Sequence, residues 1–99
     1  MKKSKATVTS NASELAKVLG LTPADGAEIV LRGDLNSKIV EVVKRKGATH
    51  AQVARLARTS RTRVTAIMNR NTKDVSIDLL LRVLYSLGYT AKIKFQRAA

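Results

Sequence analysis

The chain has no cysteine and no tryptophan, and only one phenylalanine, two tyrosines, one histidine and one proline. Without cysteine there is no disulfide, thiolate metal site or cysteine nucleophile, and nothing calls for an oxidising compartment. His50, the lone histidine, has no carboxylate at ligand spacing, which argues against a metal site. Ser60, His50 and Asp74 can be combined into a triad on paper, but no nucleophile elbow or oxyanion loop surrounds Ser60. Ser60 therefore reads as a helix cap, and the chain as a binding protein that is not an enzyme and needs no cofactor. Long apolar runs are missing too, since Arg82 interrupts the strongest candidate, residues 79–87, far short of the roughly 18 residues a bilayer span requires. Met1-Lys2-Lys3-Ser4-Lys5 has the charge of a signal-peptide start, yet no apolar segment follows it. These absences predict a soluble, cytoplasmic protein with no membrane partner.

Acidic residues are the scarcest of the charged types, 7 against 19 basic ones, for a net charge of +12 and a pI near 10.8. A balance of that kind favours a polyanionic partner. The imbalance is concentrated, because no acid occurs between Glu41 and Asp74 whereas nine basic residues do: Lys44, Arg45, Lys46, Arg55, Arg58, Arg61, Arg63, Arg70 and Lys73. Ordinary domain surfaces mix the two signs, so a merely solvated face is the weaker account of this stretch. Lysine and arginine neutralise phosphates and release counterions, while a short helix fits a major groove.

Ninety-nine residues with 44% hydrophobic content suit one modest core of packed helices. Residues 1–11 are polar, basic and aperiodic, which predicts a flexible basic arm ahead of a single domain over 12–99. Ser13 caps a short helix from Glu14 to Leu19 that Gly20 ends. Thr22-Pro23 with Asp25 is a helix start, and Ala27, Leu31, Leu35, Ile39 and Val42 recur at helical spacing up to Gly47. Gly33 marks a bend or a break in that long helix. Thr49 with Gln52 forms a capping box for a helix to about Ala57, with Val53, Ala54, Leu56 and Ala57 available to pack. Ser60 caps the next helix, whose Val64, Ile67 and Met68 face inward. So short a turn between Ala54 and Val64 makes the two helices cross steeply, as in a helix-turn-helix over about 49–70. Ser76 caps a final helix with a stripe of Ile77, Leu80, Leu81, Leu84 and Leu87.

The segment from Tyr89 to Gln96 alternates apolar and polar residues, the period of a half-buried strand. A lone strand leaves its backbone groups unpaired. The favoured partner is the same strand of a second protomer, with Tyr89, Ala91, Ile93 and Phe95 as dimerisation residues; the alternative is Thr7-Val8-Thr9 of the same chain.

The small Ala54, the apolar Val53, Ala57, Val64 and Ile67, and the polar start Ser60-Arg61-Thr62 resemble the lambda-repressor-like (Cro/XRE) regulators. The resemblance runs from about Ala27 to Phe95 and includes Lys46-Gly47-Ala48-Thr49 and Val75-Ser76-Ile77-Asp78-Leu79-Leu80. It is nearest to the short HigA-type antitoxins of toxin–antitoxin operons. It implies an all-α, five-helix DNA-binding domain with a C-terminal β-strand pairing across a homodimer, acting as a sequence-specific repressor on a palindromic double-stranded operator at the bacterial nucleoid. It also implies a small ribonuclease-type toxin as partner. A solitary or phage-type repressor without a toxin, and a nonspecific nucleic-acid-binding protein, are the alternatives.

Carried over by position, the resemblance assigns base reading to Arg61, Thr62, Thr65 and Ala66, side chains suited to guanine edges, base-edge hydrogen bonds and thymine methyls. Phosphate contacts fall to Thr49, His50, Asn69 and Lys73; Arg63 and Arg70 join them for charge and placement. Arg58 stands where the family usually has glycine, which predicts a positive φ at a cost of about 1 kcal/mol. His50 replaces a common glutamine, and Arg70 a glycine that often ends the recognition helix.

Overall fold

Four helices begin where a threonine or serine hydroxyl accepts a backbone N–H. The computed structural model describes residues 17–97. A helical turn at residues 17–19 (α1) precedes α2 (Pro23–Lys46), α3 (His50–Ala57), α4 (Arg61–Met68) and α5 (Ile77–Ser86). The architecture is all-α, with five helical segments and no strand among the described residues. Thr22, Thr49, Ser60 and Ser76 cap α2 to α5 by accepting from the N–H groups of Asp25, Gln52, Arg63 and Leu79 at 3.1–3.2 Å. Thr49 N–H also donates to Gln52 Oε1 at 2.9 Å, completing the capping box. Each such cap stabilises its helix by about 1 kcal/mol. The N-terminal arm, the Ser13 cap and Thr7-Val8-Thr9 lie outside the described residues.

α2 runs for 24 residues without interruption. The break into two pieces expected as one outcome at Gly33 is not present: one glycine costs a helix only about 1 kcal/mol, too little to stop a segment anchored further along. Two compact units share the chain, Leu35–Ile93 and the residues on either side of it. In the flanking unit, Arg32 pairs with Glu28 one turn away at 2.9 Å. The core belongs to Leu35–Ile93. It is built from Leu35, Ile39, Val40, Val42 and Val43 of α2, Val53, Ala54 and Ala57 of α3, Val64 and Ile67 of α4, and Leu79, Leu80, Val83 and Leu84 of α5, closed by Val75 and Leu87. All are aliphatic, so the core depends on close packing of branched side chains.

Several expected core positions shift. The buried stripe of α5 is Leu79, Leu80, Val83, Leu84 and Leu87, with Ile77 and Leu81 at its margin. Apolar residues cover so much of α5 that periodicity alone does not choose the inward side. Leu56 is 61% exposed because Val53, Ala54 and Ala57 already fill the inner side of α3. Ala27 is exposed and Met68 half-buried.

The C-terminal segment also departs from expectation. Residues 89–97 hold no strand, since none of the described residues supplies a second backbone to pair with. Tyr89 instead lies against α2: Arg45 Nη2 donates to its hydroxyl at 2.6 Å, and Lys38 Nζ sits 5.2 Å from the ring centroid. Ala91 is half-buried, whereas Ile93 and Phe95 are 56% and 93% exposed.

Among the described residues Asn36 is the one buried polar side chain, 4% exposed, and its Nδ2 donates to the Ile67 carbonyl at 2.7 Å. The bond ties α2 to the last turn of α4. Asn36→Ala should cost about 1–2 kcal/mol through the lost bond and the space left behind. Asn36→Asp should cost more, because a carboxylate can only accept and would face a carbonyl. Urea unfolding followed by circular dichroism measures both.

Candidate nucleic-acid interface

Every helix from α2 to α5 ends in the same way, with two backbone bonds that close over a residue of positive φ. Ala48 N–H reaches the Val43 carbonyl, Thr59 that of Ala54, Asn71 that of Ala66 and Tyr89 that of Leu84, at 2.8–3.3 Å. This pairing satisfies carbonyls the helix leaves open and requires a left-handed residue beside it. In α2 and α5 that residue is Gly47 or Gly88; in α3 and α4 it is Arg58 (φ 57) or Arg70 (φ 59). The positive φ expected at Arg58 is observed, and Arg70 shares it. Left-handed backbone costs a side-chain-bearing residue on the order of 1–2 kcal/mol. Both strained arginines lie in the acid-free stretch.

Between these turns, α4 is presented as one face. Val64 and Ile67 are buried, and residues at one, four and five positions along a helix share a side. Thr62, Thr65, Ala66 and Asn69 therefore lie away from the core, with Arg61 at the edge of that face. Arg61, Thr62 and Asn69 are exposed, while Thr65 and Ala66 are half-buried. All four expected base readers are brought to this face.

The expected phosphate contacts are more scattered. Thr49, Asn69, Arg70 and Lys73 are exposed and His50 is half-buried. His50, the first residue of α3, places Nδ1 2.8 Å from Thr65 Oγ1, joining the two helices through one expected phosphate ligand and one expected base reader. Arg70 donates from its guanidinium to Ser37 Oγ of α2 at 2.9 Å. Arg63 lies on the flank of α4, where with Arg58, Asp74 and Asp78 it lines a polar cleft of about 350 Å³.

Three groups outside the sequence reading support the face. Asn36 and Ser37 brace the end of α4 from α2, and Arg82 Nε donates to the Ala57 carbonyl at 3.2 Å, bracing the end of α3 from α5. Asn36 had a legible signal, a polar residue within the apolar spacing of Leu35 and Ile39. Arg82 was noticed only as an interruption of an apolar run.

Electrostatics keep the face available to an anion. The ion pairs among the described residues join Arg32 to Glu28, and Lys38 and Arg45 to Glu41, all on α2. None of them involves Arg55, Arg58, Arg61, Arg63, Arg70 or Lys73. No group of three or more histidine, cysteine or carboxylate side chains suited to a metal occurs among the described residues. No helix among them is long and apolar enough to cross a membrane.

Residues 18–96 match the profile of the helix-turn-helix domain. The chain belongs to the helix-turn-helix domain family. The match spans α2 to α5 and most of the C-terminal segment, which supports a DNA-binding regulator of the helix-turn-helix type. No curated protein and no solved structure matched it.

The strained turns carry a prediction. Arg58→Gly should raise stability by about 0.5 kcal/mol, the relieved left-handed strain being partly offset by glycine's entropy in the unfolded chain, whereas Arg70→Gly should gain less because it also loses the bond to Ser37 Oγ. The same changes should weaken DNA binding and make its salt dependence shallower. Thermal melting and titrations across salt concentrations check the two effects.

Proposed function

We propose that this helix-turn-helix protein is a homodimeric, sequence-specific repressor of a palindromic operator, and a binding protein rather than an enzyme. The observation that carries the reading is the exposed face of α4, on which Thr62, Thr65 and Ala66 point away from buried Val64 and Ile67 and Arg61 stands at the edge. In this reading Arg61 donates to a guanine edge, Thr62 and Thr65 address neighbouring bases, and the Ala66 methyl meets a thymine methyl. Thr49, His50, Arg63, Asn69, Arg70 and Lys73 hold phosphates and fix the register.

The dimer is supported by the C-terminal segment. Tyr89 is anchored on α2, while Ile93 and Phe95 stay exposed on a segment with strand periodicity. A two-fold pairing of that segment would cover them and satisfy its backbone, and such a dimer would meet two half-sites about one DNA turn apart. Autoregulation of an operon that also encodes a small ribonuclease-type toxin extends the reading through the resemblance to HigA-type antitoxins. A solitary repressor is the second reading, favoured by the net charge of +12, which is unsuited to embracing a basic toxin.

Arg61→Ala should relax base preference at one operator position and cost about 1–3 kcal/mol, whereas Lys73→Ala should weaken all sequences alike and lower the salt slope by about one. A binding-site selection with both variants decides. Uniform loss from each would remove Arg61 as a base reader, and wild-type binding without a consensus would leave nonspecific nucleic-acid binding. Removal of residues 90–99 should yield a monomer by light scattering; an unchanged dimer would place the interface elsewhere.

A further inference from the structure

The short contact between His50 and Thr65 joins an expected phosphate ligand to an expected base reader, and hydrogen-bond chemistry limits how both can act at once. We infer that His50 sets the hydrogen-bonding polarity of Thr65, so that Thr65 offers its base only an acceptor and selects adenine or cytosine. The inference deepens the DNA-reading assignment of α4 and rests on it.

Nδ1 of His50 and Oγ1 of Thr65 are 2.8 Å apart, so one hydrogen lies between them. A threonine hydroxyl has one hydrogen to give and two lone pairs, and a neutral imidazole carries its hydrogen on only one nitrogen. A phosphate oxygen can only accept. Contact with it through Nε2 therefore needs the Nε2–H tautomer, which leaves Nδ1 bare. Bare Nδ1 then takes the Thr65 hydroxyl hydrogen, and only lone pairs remain for DNA. In the major groove adenine N6 and cytosine N4 are amino donors, whereas guanine N7 and O6 and thymine O4 are acceptors. An acceptor from Thr65 pairs with the first two and is repelled by the others. An imidazolium, or the opposite tautomer, would turn the Thr65 hydrogen outward and reverse that preference. The backbone contact thus acts on sequence choice through a proton position, which makes His50 a positioning residue for specificity.

Binding-site selection and anisotropy titrations separate the possibilities. Wild type should select adenine or cytosine at one step. Thr65→Val and His50→Ala should each flatten that preference by roughly five- to tenfold, the scale of one base-edge hydrogen bond, and the double variant should be no flatter than Thr65→Val alone. His50→Asn keeps an acceptor, Oδ1, where Nδ1 stood but has nothing at the Nε2 position. It should retain the preference while binding every sequence more weakly. The inference is overturned if the selected base is guanine or thymine, if His50→Ala weakens all sequences alike, or if His50→Asn flattens the step as alanine does. If Arg61→Ala alters the consensus and Thr65→Val alters nothing, α4 still reads DNA and only the role of His50 and Thr65 falls. A wild type without any consensus would overturn both.

Discussion

A helix of eight residues is too short to persist alone in water. α3 and α4 both have that length, so the DNA-facing surface exists only because other forces hold it. Caps satisfy the first N–H groups, left-handed turns satisfy the last carbonyls, and burial of Val53, Ala54, Ala57, Val64 and Ile67 packs α3 against α4 and α5. Side chains from the longer elements finish the work, Asn36 and Ser37 at the end of α4 and Arg82 at the end of α3. Remove those braces and the face of α4 has no defined direction.

That dependence explains the arginines at the two turns. Gly47 and Gly88 end the helices that carry the core, where a left-handed residue has only a structural task. Arg58 and Arg70 end the two that carry the interface and accept a strained backbone there. Strain concentrates where charge is useful, and the surrounding core is strong enough to hold it. Asn36 follows similar logic, since a buried amide bonded to one carbonyl fixes α4 in a single position that an apolar residue would leave less defined.

Much of the local structure was legible. Thr22, Thr49, Ser60 and Ser76 announced their helices because a cap is a contact between residues three apart, and Gly47 announced the end of α2 for a similar reason. The left-handed Arg58 followed from its place in the family pattern. The buried side of α5 was not legible, because Ile77, Leu79, Leu80, Leu81, Val83 and Leu84 satisfy more than one stripe. Nor was Gly33 decisive, since neighbouring turns of α2 carry the helix across it.

The sequence by itself determined the class of partner and the organisation of the chain: an acid-free run of nine basic residues, hydroxyl caps at fixed spacing, and a short turn between two helices. These are properties of neighbours along the chain. Only the tertiary structure decided that Tyr89 lies on α2 and that His50 meets Thr65. Those contacts join residues 15 and 44 positions apart. No periodicity encodes them, because they depend on how the core sets one helix against another.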